Sequence, residues 1–121
     1  MVAALFDTNI LVDQLNSVPA ARAEIARYSA KAISIVTWIE VMVGAEPSLQ
    51  IATREFLDDY TIVPLDDLVA EDAVSLRRKY RIKLPDAIIW ASARNRGMLL
   101  VTRNKKDFPP GDPGVRVPYK I

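Results

Sequence analysis

Asp7, Glu40, Asp86 and Asp107 each stand just past an apolar, strand-like run, at or near the start of an expected helix. In an open parallel α/β sheet, ligands bind beyond the carboxyl ends of the strands, so acids at successive strand-to-helix junctions can meet in one pocket although far apart in sequence. The chain has no His and no Cys. Such a site excludes a His-based acid/base centre, a Cys nucleophile and an ordinary zinc cage, whereas carboxylate oxygens suit Mg2+ or Mn2+. Without a cation, four converging carboxylates would repel one another and raise one another's pKa. Two divalent ions roughly 3.5 to 4 Å apart can hold a phosphodiester, generate an attacking hydroxide and stabilise the leaving oxygen. The chemistry indicated is phosphodiester hydrolysis.

The elements that must position these acids follow from hydrophobic periodicity. Residues 2–6 form a continuous apolar run, as expected of a strand buried on both faces, and Asp7-Thr8-Asn9 breaks it before a short helix at Ile10-Leu11-Val12. Ser17 precedes Pro19 and an Ala-rich segment reaching Ala30, which predicts a capped helix with Pro in its first turn. Further strands are expected at 32–36, 61–65 and 98–102, with a short edge strand at 115–117 after a Pro- and Gly-rich loop. Thr37 is expected to open a helix that Gly44 and Pro47 disturb, and 48–60 to form another. Asp66 is expected to cap a helix with Leu68, Val69, Ala73, Leu76 and Tyr80 at helical spacing. Pro85 starts the next, and Gly97 is placed to end it. Strands alternating with helices of these lengths imply a parallel sheet covered on both sides, an α/β fold.

Composition bounds the reading without deciding it. At 121 residues the chain reads as one domain over residues 1–121, able to hide roughly two thirds of its unfolded surface. With 16 Lys and Arg against 15 Asp and Glu, affinity for polyanions must come from the arrangement of cations rather than their excess. The apolar opening 1–6 has no basic flank and is too short for a signal peptide, and no later run approaches a membrane span. A cytoplasmic protein is expected.

Each acid also has an ordinary local explanation. Asp7 suits a helix N-cap. Thr37-x-x-Glu40 matches a capping box. Asp86 follows Pro85 in a first turn, where the helix dipole favours negative charge by roughly 0.3 to 1 kcal/mol. Asp107 could hold a turn before Phe108-Pro109-Pro110. None of these explanations requires the junctions to share one end of one sheet. Capping and ligation are also compatible, since a helix N-terminus keeps a carboxylate ionised, as an oxygen ligand for a hard cation must be.

Asp7-Thr8-Asn9 after the first strand, Glu40 on the helix after the second, Leu84-Pro85-Asp86-Ala87 opening a later helix, and the segment Val101-Thr102-Arg103-Asn104-Lys105-Lys106-Asp107-Phe108 together resemble the PIN domain, in order and over nearly the full length. More narrowly, the chain is similar to VapC-type toxin ribonucleases of type II toxin–antitoxin pairs. The resemblance implies a three-layer α/β/α fold with a central parallel sheet in the order 3-2-1-4-5, which places Asp66 away from the pocket. It further implies a Mg2+-dependent endoribonuclease, with Mn2+ able to substitute. Asp7, Glu40 and Asp86 match the three core acids. At the fourth position an acid is expected where this chain has Asn104 or Asp107; Asp107 is taken as the acid and Asn104 as a polar support. Thr8 and Thr102 match small hydroxyl positions, and Asn9 completes the supporting set. The resemblance also implies a homodimer and a cognate antitoxin.

Arg103, Lys105 and Lys106 flank the fourth motif and are expected to hold RNA phosphates. Arg77, Arg78, Lys79, Arg81 and Lys83 read as a solvated face, and Trp38 and Trp90 as core or interface residues, with Trp90, one helical turn beyond Asp86, expected to border the site or a dimer contact. Two other readings stay open. A haloacid-dehalogenase-type phosphatase also starts from an Asp after the first strand, but needs a second Asp where this chain has Asn9. A non-catalytic RNA- or partner-binding module would keep the carboxylates as caps.

Overall fold

The computed structural model describes residues 3–109 and 111–120. Val2 of the expected first strand and Pro110 of the expected loop lie outside them. Five short strands, β1 (Ala4–Phe6), β2 (Lys31–Ser34), β3 (Thr61–Val63), β4 (Leu99–Val101) and β5 (Val115–Arg116), form one parallel sheet in the order β3-β2-β1-β4-β5. Six α-helices surround it: α1 (Thr8–Leu15), α2 (Pro19–Ala26), α3 (Ile35–Gly44), α4 (Gln50–Leu57), α5 (Asp67–Tyr80) and α6 (Leu84–Asn95). Between α3 and α4 lies a 3-10 turn at Pro47–Leu49.

Successive strand residues point to opposite faces, and the core divides accordingly. Leu5, Ala32 and Leu100 pack with Val69, Ala73 and Leu76 of α5 and Ala87, Ile89 and Trp90 of α6. Ala4, Phe6, Ile33 and Val101 pack on the other face with Ile10, Leu11, Ile25, Val41 and Leu57. Aromatic edges lock both sides. Trp90 meets Phe108 at 5.6 Å and Tyr80 at 5.1 Å, while Phe6 meets Tyr28 at 5.7 Å and Tyr60 at 6.0 Å. Trp90 is thus a core residue, 1% exposed. Because the chain leaves β1 toward β2 on one side and β4 flanks it on the other, the crevice beyond β1 and β4 is the topological switch point.

Helix ends explain several boundaries. Asp66 caps α5 by accepting from Val69 N at 2.9 Å, as expected. Gly97, at φ 62°, closes α6 as its Cα turns left-handed, with Gly97 N bonded to Arg94 O and Met98 N to Ala93 O. Three expectations are corrected. Ser17 does not cap α2; at φ 60° it closes α1 by the same pattern, with Ser17 N on Gln14 O and Val18 N on Asp13 O. The second strand stops at Ser34 because Ser34 Oγ accepts from Val36 N and starts α3 there. Thr37 and Glu40 therefore lie within α3 and form no capping box.

Two buried acids fasten the C-terminal segment. Glu24 on α2 takes Arg116 Nε at 2.7 Å and Nη2 at 3.0 Å, with Tyr28 Oη at 2.7 Å. Asp13 on α1 takes Tyr119 Oη at 2.9 Å. The left-handed residues give a paired prediction. Gly97→Ala, with open space for its Cβ, should cost about 1 kcal/mol from backbone strain alone. Ser17→Gly should be neutral to stabilising by up to about 1 kcal/mol, since relief of left-handed strain exceeds the added chain entropy. Urea unfolding of both variants checks the opposite signs.

Candidate active site

Asp7 is the first residue beyond β1 and caps α1. Only 4% of it is exposed, and its carboxylate is met by donors on both oxygens. Oδ1 accepts from Thr8 N at 2.7 Å; Oδ2 accepts from Thr102 Oγ1 at 2.8 Å and Asn9 Nδ2 at 3.3 Å. Thr102 follows β4, so the adjacency of β1 and β4 is what brings it to Asp7. Burial, the largest influence, pushes the Asp7 pKa up and Glu40 adds to this, while the bonds from Thr102 and Thr8 oppose it.

Glu40 reaches the site from α3. Thr8 Oγ1 donates to Glu40 Oε1 at 2.6 Å and lies 3.0 Å from Thr37 Oγ1, itself fully buried. A threonine hydroxyl has one proton, so Thr8 spends it on Glu40 and Thr37 is free to donate to Thr8. On the other flank, Thr102 Oγ1 accepts from Asn104 N at 3.0 Å, and Asn104 Nδ2 donates to Asp107 at 2.8 Å. Asn104 Oδ1 accepts from the N–H groups of Lys106 and Asp107, which folds the loop back, and Phe108 anchors it in the core, 2% exposed. Asn104 thus orients Asp107.

Asp86 sits in the first turn of α6, which follows α5 and not, as expected, a strand-like run, and no partner beyond Lys83 offsets its charge. Its pKa is raised to about 6, first by burial and then by Asp7, Asp107 and Glu40 acting on it together. Hydrogen bonds join Asp7 to Glu40 through Thr8 and to Asp107 through Thr102 and Asn104, and the charges of all three act on Asp86. Yet among the described residues no three acidic side chains close into a ready-made metal cluster. The two findings are compatible: Mg2+ commonly keeps several waters and takes only one or two carboxylates directly. The donor set, all oxygen with a carboxylate destabilised for want of a counter-charge, fits a hard divalent cation.

The cations divide. Lys105 and Lys106 are exposed and, with Asn9, Arg103 and Asn104, line a shallow depression of about 430 Å3 beside the acids. Arg103, also expected to hold phosphate, lines the same depression and directs Nε and Nη2 onto Asp13 at 2.7 and 3.1 Å. Asp13, Tyr119 and Thr37 were not anticipated. A usable signal existed for Asp13: it follows Ile10 by three positions on the buried stripe of α1, and an acid at a core-facing position implies a buried partner. A second cavity of similar size between α5 and α6, lined by Glu71, Asp72 and Arg94, holds none of the expected residues and is bridged by the Arg94–Asp72 ion pair.

The sequence profile of the PIN domain matches residues 4–109. None of the curated proteins compared with the chain matches it. Among solved structures, the chain is similar to one from a toxin–antitoxin complex of Klebsiella pneumoniae, with 45% identity and a TM-score of 0.93, covering 98% of this chain and 100% of that one. It is also similar to a chain of DNA-bound VapBC from Salmonella typhimurium, with 25% identity, a TM-score of 0.77 and 96% of each chain covered. A chain of VapBC-5 from Mycobacterium tuberculosis is 25% identical with a TM-score of 0.70, covering 96% of this chain and 97% of that one.

The charge on Asp86 generates a stability prediction. Its folded pKa of about 6 exceeds the unfolded value, so folding tolerates it fully below about pH 4 and loses stability as pH rises to 6. In EDTA above pH 7, Asp86→Asn should therefore stabilise the protein by about 1 kcal/mol, discounted for partial solvent screening and for the lost helix-dipole attraction. The gain should vanish below about pH 4. Thermal unfolding across this range measures it.

Proposed function

The chain belongs to the PIN domain family, and from that footing we propose that it is a Mg2+-dependent endoribonuclease, the toxin of a toxin–antitoxin pair. The observation that carries the reading is the set of hydrogen bonds that joins Asp7 to Glu40 through Thr8 and to Asp107 through Thr102 and Asn104, at the switch point of a parallel sheet, with Asp86 raised in pKa by the same acids. In this reading Asp7, Glu40, Asp86 and Asp107 hold the cation, and Mn2+ can replace Mg2+. When bound, the ion supplies charge neutralisation for the scissile phosphate and lowers the pKa of water at the site. Thr8 holds Glu40, and Thr102 and Asn9 hold Asp7, each by a hydrogen bond to the carboxylate. Asn104 holds Asp107. Lys105 and Lys106, on the rim beside Asn104, contact the RNA backbone on one side of the cut, which would steer binding without reading sequence.

The partners proposed are RNA, a cognate antitoxin and a second copy of the chain, acting in the cytoplasm. No described helix is long and apolar enough to cross a membrane. An antitoxin segment is supported by the similarity to a chain of a toxin–antitoxin complex and by a groove of about 340 Å3 whose lining includes Glu40. Val12, Leu15, Val41 and Leu49 line the groove, so an apolar segment lying in it would reach the acids. The phosphatase reading loses ground at Asn9, whose amide donates to Asp7, where that chemistry needs a second carboxylate.

Incubating the antitoxin-free protein with total cellular RNA, with Mg2+ or EDTA, tests the proposal. Discrete new RNA ends are expected only with Mg2+, and Asp7→Asn should reduce their rate by at least about a thousandfold while leaving the fold intact. Cleavage that persists in EDTA or in Asp7→Asn would refute the metal-carboxylate reading. A folded wild type that binds RNA but no divalent ion would favour the non-catalytic module.

A further inference from the structure

Asp13 is 5% exposed, and its two oxygens accept three side-chain hydrogen bonds. Arg103 supplies two through Nε and Nη2, and Tyr119 Oη supplies the third at 2.9 Å. The fork-to-carboxylate geometry fixes the plane of the guanidinium as well as its place. Arg103 is gripped a second time through its backbone, where its N–H donates to Asn9 Oδ1 at 3.1 Å. Asn9 and Asp13 stand four residues apart on one face of α1, so the helix holds both ends of the same arginine.

The consequence reaches Asp7. With Asn9 Oδ1 taken by Arg103 N, the amide must turn its Nδ2 the other way, where it meets Asp7 Oδ2 at 3.3 Å and Thr102 Oγ1 at 3.4 Å. Thr102, the residue before Arg103, presents its own hydroxyl to the same Asp7 oxygen. Three distant pieces of chain, α1, the turn after β4 and the C-terminal segment, thereby converge on the orientation of one carboxylate.

We propose that Asp13, Arg103 and Tyr119 are positioning residues: their clamp seats the turn after β4 against α1, keeps Asn9 and Thr102 on Asp7, and so sets the affinity of the carboxylate site for a divalent cation. Arg103 lines the same depression as Lys105 and Lys106, but its guanidinium is committed to Asp13, which leaves the two lysines to meet the substrate. This inference rests on the metal-dependent reading above.

Titration calorimetry with Mn2+ alone, without RNA, tests it on the full chain. Arg103→Lys and Tyr119→Phe keep the net charge, so a change in affinity cannot be put down to a lost or gained charge. Arg116→Lys is the control: it breaks the comparable fork onto Glu24, which loosens the same C-terminal segment, whereas the Arg116 side chain bonds neither Asn9 nor Thr102 and the bond from Thr102 N to Arg116 O runs through backbone that the substitution keeps. Arg103→Lys should bind Mn2+ about tenfold more weakly, at the low end of what loss of an orienting partner costs a metal site, and Tyr119→Phe about threefold more weakly. Arg116→Lys should bind as the wild type does, and thermal unfolding should show each variant folded at the titration temperature. Wild-type affinity in Arg103→Lys, or in Tyr119→Phe should the arginine variant fail to fold, overturns the clamp's role. Equal weakening in Arg116→Lys does the same, by showing a general loosening. A folded wild type that takes up no Mn2+ overturns the functional reading, and this inference with it.

Discussion

A carboxylate taken out of water must be given replacement donors, and Asp7 at the end of the central strand imposes that demand on its surroundings. Its two oxygens are served from three directions: its own helix start through Thr8 N, the neighbouring strand through Thr102, and the face of α1 through Asn9. Each donor is present only because the sheet puts β4 beside β1 and because α1 begins at Thr8. The order β3-β2-β1-β4-β5 is therefore more than an architecture. It decides which loop can satisfy Asp7.

Satisfying Asp7 leaves the repulsion around Asp86 unsolved. Hydrogen bonds serve Glu40 through Thr8 and Asp107 through Asn104, whereas Asp86 has Lys83 as its one opposing influence against three like charges. The rest of the fold holds the acids in that unfavourable proximity. The Trp90–Phe108 contact fixes the turn that carries Asp107, and α6 packs its buried face on the sheet directly behind Asp86. An apolar core thus offsets electrostatic strain at one end of the molecule, an arrangement expected where a cation is to be held.

Much of this was legible in the sequence because the signals were local. Asp66 and its helix, Pro85 at the start of α6 and Gly97 at its end depend on residues within a turn of each other, and the structure follows them. The strand order came from the resemblance to PIN domains and agrees with the observed sheet. What the sequence did not disclose depends on distant partners. Ser34 and Thr37 are both good N-caps; pairing of Ser34 with Val63 in the sheet selects Ser34 and sends Thr37 and Glu40 toward Thr8, far back in the chain. Arg103 stands in a run of polar and basic residues that reads as a solvated loop, while its partner Asp13 lies 90 positions earlier. Only the fold reveals that the two meet.

In the proposed reading Asp7, Glu40 and Asp107, which follow β1, β2 and β4, form one site for a divalent cation with Asp86 at the start of α6. Soaking crystals of the protein in Mn2+ and computing an anomalous difference map tests it most directly. A peak is expected between Asp7 and Asp86, with at least one carboxylate oxygen at roughly 2.0 to 2.3 Å and the other acids reached directly or through one water. No peak there at millimolar Mn2+, or one held by acids elsewhere on the surface, would contradict it.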